Sequence, residues 1–262
     1  MSDWLHNLPL AWMALVVFGL TYLITLAIHG LVAGLAVGER ARSFKAVSPG
    51  MLPPLGIIFG LFVAFTAAQV WNDTDHAVAA VNREASALKS VVLLAANFPG
   101  DSETRLLALV RRYIGDSASQ DWPAMARATA DLRSMPQPLT DALQLTLSLK
   151  PDGPGAVTAQ RDMANALQTV LEARRQRILV SRSEVNLTKW TCLLLQAVCA
   201  LVAIALVHSD NRLASALSLG LFATGVAASV LLIAAHDRPF VGQLAVTPQP
   251  LLQVMPEAPR SS

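Results

Sequence analysis

Side chains able to hold a metal, carry a proton or attack a carbonyl are few and scattered in this chain. The histidines are His6, His29, His76, His208 and His236, and no two of them stand at the i, i+4 spacing that a metalloprotease helix needs. No Gly-x-Ser-x-Gly elbow, phosphate-binding loop or Gly-x-Gly-x-x-Gly turn occurs. Cys192 and Cys199 share a helix face, but seven residues place them about 10 Å apart along the axis, too far for a disulfide. They read as small buried residues. Asp73, Asp75 and His76 form one close titratable group, able to bind a cation or to end a helix in solvent with Arg83 as charge partner. The run Arg174-Arg175-Gln176-Arg177 offers planar cations for phosphates or anions, or a solvated face. No set supports a reaction, so the expectation is a non-enzyme without cofactor or metal.

The elements that carry these residues belong to a membrane. Hydrophobic residues make up 53% of the chain and charged ones 15%, with a mean hydropathy of +0.47. Four charge-free runs, 8–28, 52–70, 190–207 and 213–235, each approach the roughly 20 residues that a helix needs to cross a bilayer. The start, MSDWLHN, lacks the basic stretch of a secretory signal, so its run is expected to remain as a membrane helix, with Trp4 and Trp12 as interfacial anchors. Net charge is +2, and no basic stretch is interleaved with aromatics, which excludes a nucleic-acid partner. The fold class read from this pattern is all-α, an integral membrane protein with four transmembrane helices and a helical soluble domain inserted between helices two and three. The boundaries are 1–71 for the first two membrane helices, 72–188 for the soluble domain, 189–236 for helices three and four, and 237–262 for a Pro-rich tail.

Helix two is the organising stretch. After Val70 the sequence Trp71-Asn72-Asp73-Thr74-Asp75 turns polar with no Pro or Gly to stop the helix, so one helix is expected to leave the bilayer and continue. Thr66, Gln69, Asp73, His76 and Arg83 follow it on one polar line. Gly56, Gly60, Ala64 and Ala68 form a small-residue ridge, Gly30, Gly34 and Gly38 a second, and Ala216, Gly220, Thr224 and Ala228 a third, which is expected to pack against the ridge of helix two. Beyond the membrane, Val78, Val81, Ala85, Leu88, Val92 and Ala95 give an apolar face. Pro99-Gly100 then breaks the chain, Asp101 is placed to cap the next helix, and further breaks are expected at Gly115, Pro136, Pro138 and 151–155. A last long helix runs from Ala156 to about Asn186.

The string FVAFTAAQVWNDTDHAVAAVNREASAL (Phe62 to Leu88), the segment Asp121-Trp122-Pro123-Ala124-Met125, the Arg174 to Arg177 patch and the closing His236-Asp237-Arg238-Pro239-Phe240-Val241-Gly242 resemble a bestrophin-like bacterial membrane family of unknown function. More distantly, Val63-Ala64-Phe65 and Pro239-Phe240 with Gly242 are similar to segments of true bestrophins, although the Arg-x-Asn and Tyr-x-Arg-Trp-Trp-Glu signatures of those proteins are replaced here. The resemblance implies a homo-oligomeric channel for small inorganic anions in the bacterial inner membrane, with the lipid bilayer as its surroundings.

On that expectation the pore-lining candidates are Phe59, Phe62, Thr66, Gln69 and Asp73, the two rings forming an apolar constriction. The alternative is a membrane-anchored interaction or sensing module. Basic residues near the membrane on the domain side, Arg83, Lys89, Arg174, Arg175, Arg177, Arg182, Lys189 and Arg238, outnumber Arg40, Arg42, Lys45 and Arg212 on the other, which favours a cytoplasmic domain. Finally, an even number of crossings puts the ends of helices two and four on one side. Arg238 is therefore expected to pair with Asp73 or Asp75 in a structural clamp, with Trp71 beside it and Phe240 over the helix ends.

Overall fold

A computed structural model describes residues 8–36, 44, 49–133 and 135–257. Trp4, His6, Gly38, Arg40, Arg42 and Lys45 lie outside the described residues. All regular structure among the described residues is helical: α1 (Leu10–Leu35), α2 (Leu52–Ala95), α3 (Asp101–Asp116), α4 (Trp122–Ala126), α5 (Gln137–Ser148), α6 (Pro154–Val180), α7 (Leu187–Val207), α8 (Arg212–His236) and α9 (Gln249–Gln253). Of these, α1, α2, α7 and α8 are long and apolar enough to cross a membrane. The 44 residues of α2 give it a length of about 66 Å, more than twice a hydrocarbon core. With neither Pro nor Gly between Val63 and Ala95, nothing interrupts its hydrogen-bond ladder.

The chain divides into two compact units, Met1–Asn72 with Glu184–Arg238 and Gly242–Leu244, and Asp73–Ser183 with Pro239–Val241 and Ala245–Ser262. In the first, α1 packs along α8 and α7. Its core joins Met13 and Val17 of α1 to Phe59, Ala67 and Val70 of α2, Trp190 and Leu193 of α7, and Val226 and Ile233 of α8. Asn186 and Asn211 start α7 and α8 by accepting the amides of Lys189 (2.9 Å) and Ala214 (3.1 Å). Thr25, Thr66 and Thr224 donate their hydroxyls back to the carbonyls of Thr21, Phe62 and Gly220 in their own helices, each at 2.8 Å, so these three are paired within hydrocarbon.

The glycine ridges do not pack inside this unit. A Cβ placed on Gly30, Gly34, Gly56, Gly60 or Gly220 would meet nothing within 4 Å, and Ala64, Ala68, Ala216 and Ala228 are exposed. The expected contact of the Gly220 ridge with α2 is therefore absent. Buried alanines, Ala197, Ala200, Ala205, Ala223 and Ala227, bring α7 and α8 close instead, while Phe59 meets Phe222 at 5.7 Å between ring centroids.

The second unit is a helical layer around Leu88, Val91, Leu106, Val110, Leu139, Met163, Leu167 and Ile178. Gly100 and Gly153, at φ +100° and +92°, take the left-handed conformation that turns the chain into α3 and α6. Two local expectations fail. The cap of α3 is Gly100 and carries no side-chain bond, Asp101 lying in the first turn where its charge meets the helix dipole. Nor does Gly115 break the chain, which continues through a π-helical turn, Ser117–Asp121, into α4. The segment after Gly242 is no separate tail, because Leu251 of α9 is fully buried in this unit and Arg111 donates to the Pro256 carbonyl at 2.8 Å.

Candidate functional site

Two features bear on function. The first is a stripe on α2 that, among the described residues, no other part of its unit covers. Ile57, Ile58, Leu61 and Phe65 are 61%, 54%, 53% and 73% exposed, and Ala64 and Ala68 lie open between and beyond them. Ile57, Leu61 and Phe65 recur every fourth residue, so these side chains stack along one face at about one-turn intervals. Since α1, α7 and α8 already cover the other side of α2, the stripe is left for lipid, a second copy or an aqueous pathway.

The residues expected to line a pathway point elsewhere. Phe59 is buried against Phe222, Thr66 is buried with its hydroxyl on the Phe62 carbonyl, Phe62 is half-buried in the same core, and Gln69 accepts a hydrogen bond from Lys189 Nζ. Asp73 is half-buried, and Asp75 and His76 are exposed, in the second unit. Among the described residues no three His, Cys, Asp or Glu side chains lie close enough to share a metal ion.

The second feature is a buried ionic centre in the helical unit. Arg177, on α6, has no solvent exposure and donates Nε to Glu84 Oε2 at 2.8 Å and Nη2 to Glu84 Oε1 at 3.1 Å. The same Nη2 reaches Ser117 Oγ at 3.1 Å and Asp121 Oδ2 at 3.3 Å, and Nη1 reaches Met125 Sδ at 3.5 Å. The guanidinium lies 4.3 Å from the centre of the Trp122 ring, within cation–π range. One helical turn earlier, Arg174 forks onto both Asp121 oxygens at 2.9 and 3.0 Å. Two cations thus face two carboxylates, the arrangement a buried charge requires. Ser117 and Asp121, at the two ends of the π turn, lie 3.2 Å apart and both reach Arg177. The expectation that the Arg174 to Arg177 run lies in solvent or meets phosphates fails for Arg174 and Arg177, and holds as exposure only for Arg175 and Gln176.

Proton affinities follow this geometry. Burial, then the Glu84 charge, raises the Tyr113 phenol well above its ordinary value, and its hydroxyl donates to Glu84 Oε1 at 2.5 Å. Burial pushes the Asp121 carboxyl up, but the hydrogen bond and charge of Arg174, with the charge of Arg177, outweigh it and hold it below the usual carboxylate range. Burial opposes the Arg177 charge and Glu84 more than restores it.

The model of the Bestrophin-like domain matches residues 19–251. The chain belongs to the bestrophin-like family. In fold this bestrophin-like chain is similar to the crystal structure of a membrane protein (TM-score 0.66, 12% identity) and to that of a point mutant of a bacterial bestrophin homolog from Klebsiella pneumoniae (TM-score 0.66, 13% identity). Each likeness covers 93% of this chain and 99% of the other. No curated protein matches it.

Within the second unit, parts of the stretches that carried the bestrophin-like resemblance meet. Glu84, Asp121-Trp122, Arg174 and Arg177 form the ionic centre, and Phe240 packs edge-on to Trp122 at 6.1 Å. Trp122 also donates its indole N–H to the Val246 carbonyl at 2.9 Å. Asp237 is buried and accepts the Val185 amide at 2.6 Å, and Arg238 pairs with Glu184 at 3.8 Å, a partner that the sequence reading did not name. The buried pairing was not legible beforehand because Glu84, Asp121 and Arg177 are separated by long stretches of chain. The one available sign was apolar periodicity, since Glu84 falls at helical spacing from the buried Val81 and Leu88, and Arg177 from the buried Val170 and Ala173.

Proposed function

We propose that this bestrophin-like protein is the subunit of a homo-oligomeric ion channel of the bacterial inner membrane. The second unit would be a cytoplasmic helical domain inserted between the second and third membrane helices. The observation that carries this reading is the uncovered stripe of α2. Around a symmetry axis, copies of Ile57, Leu61 and Phe65 make apolar rings, and an apolar constriction passes or blocks ions by wetting and dewetting. Ala64 and Ala68 leave room between the rings for close helix approach. The ionic centre holds the soluble half of α2 to α6. The permeant species is a small inorganic ion, with anions favoured by resemblance to true bestrophins, and no chemical reaction is catalysed.

The test is ion flux from proteoliposomes loaded with potassium chloride, alongside the mass of the detergent-solubilised particle. An oligomer whose flux rises in Phe65→Ala supports the reading. A monomer, or an oligomer with no flux in either form, overturns it.

A further inference from the structure

Where the start of α2, the end of α7 and the first half of α8 meet, a groove of about 530 Å³ opens on the side of the membrane bundle. Leu55, Gly56, Ala200, Ile204, Leu221 and Phe222 line it, with His208 and Ser218 as polar groups at its edge. We propose that the groove binds one acyl chain of a bilayer phospholipid.

Every wall belongs to a helix long and apolar enough to span the membrane, so the medium at the opening is hydrocarbon. A groove of about 530 Å³ has room for a stretch of acyl chain. The space beside Gly56 is open, since a Cβ there would meet no atom within 4 Å.

The polar end indicates which hydrocarbon. His208 caps α7 and Arg212 begins α8 after a short turn, so both stand at the edge of the apolar layer. His208 engages the Ile204 carbonyl through Nδ1, and Arg212 is exposed. An apolar slot with an imidazole and a hydroxyl among its lining groups, His208 and Ser218, matches a chain and the ester that ends it. Leu52, Leu55 and Gly56 project from the opposite side of α2 to Ile57 and Leu61, so the site exists whether or not the uncovered stripe lines a pathway.

The experiment uses the full chain in nanodiscs of phosphatidylglycerol and phosphatidylethanolamine, part of it bearing a photoactivatable diazirine on one acyl chain. After illumination, labelled peptides are mapped by mass spectrometry. Labelling at Leu55, Ile204 and Phe222 is expected to exceed that at the outward-facing Leu23 and Leu26 several-fold. Gly56→Phe fills the slot and should remove that excess, whereas Gly30→Phe, on an open surface of α1, should not. Equal labelling at groove and outward positions overturns the proposal, as does an excess that survives Gly56→Phe. Ready formation of an intermolecular disulfide by Leu221→Cys, with groove labelling absent, would show that a second copy occupies the slot and would overturn it as well.

Discussion

Arg177 and Glu84 face each other through two hydrogen bonds, at 2.8 and 3.1 Å, with neither side chain exposed. They join α2 to α6 across 93 residues of sequence. Removing one member strands the other charge, which in buried pairs typically costs about 3–5 kcal/mol. Arg177→Met and Glu84→Gln should each lower the unfolding midpoint strongly. The double variant should be less damaged than the sum of the two, as a double-mutant cycle by chemical denaturation would read. Additive losses would mean that the two groups act independently.

The pH response has a defined sign at each end. Asp121 is held below the ordinary carboxylate value of about 3.9, so its contribution to stability is present at neutral pH and is lost as pH falls through its depressed value. Tyr113 is raised above its ordinary value of about 10, so its contribution is full below that pH and is lost as pH climbs toward the raised value. Unfolding midpoints measured across pH should therefore show a shallower acid limb in Asp121→Asn and a shallower alkaline limb in Tyr113→Phe. Unchanged limbs would remove these groups from the pH response.

Trp122 has two separable duties, a ring face against Arg177 and an indole N–H on the Val246 carbonyl. Trp122→Phe keeps a smaller ring face and loses the donor, leaving the buried-side carbonyl unpaired at a cost of about 1–3 kcal/mol. Proteolysis of the C-terminal segment should then accelerate, as mass spectrometry of timed digests would show, while the rest of the helical unit stays protected. Protection of that segment equal to the parent protein would contradict the role given to the bond.

How much of this was legible in the sequence depended on the range of the interaction. The four spans, and the unbroken passage of α2 from Leu61 to Ala95, follow from local hydropathy and from missing breakers, both of which are properties of neighbouring residues. The face of a helix that meets its own subunit is not local. Phe59 and Phe62 looked like pore rings because large aromatics suit a constriction, yet Phe222 and the α1 and α7 core residues claim them, leaving Leu61 and Phe65 outside. Likewise a fourfold glycine spacing describes a flat surface without naming its partner. Among the described residues nothing sits on Gly220, so Gly220→Leu should change subunit stability by no more than about 0.5 kcal/mol, whereas Ala223→Leu, in a fully buried position, should cost about 1–3 kcal/mol. Comparable losses from the two would place an atom against Gly220 that the fold does not show.

The uncovered stripe of α2 is tested most directly by cysteine accessibility during ion flux. In a Cys192→Ser, Cys199→Ser background, Leu61→Cys and Phe65→Cys channels reconstituted in planar bilayers are exposed to a small water-soluble thiosulfonate. The prediction is a rapid change of current in both, and none in Phe59→Cys or Thr66→Cys, whose side chains are buried within the subunit. Modification of Phe59→Cys with Leu61→Cys and Phe65→Cys inert would contradict the assignment and put the pathway on the other face of the helix.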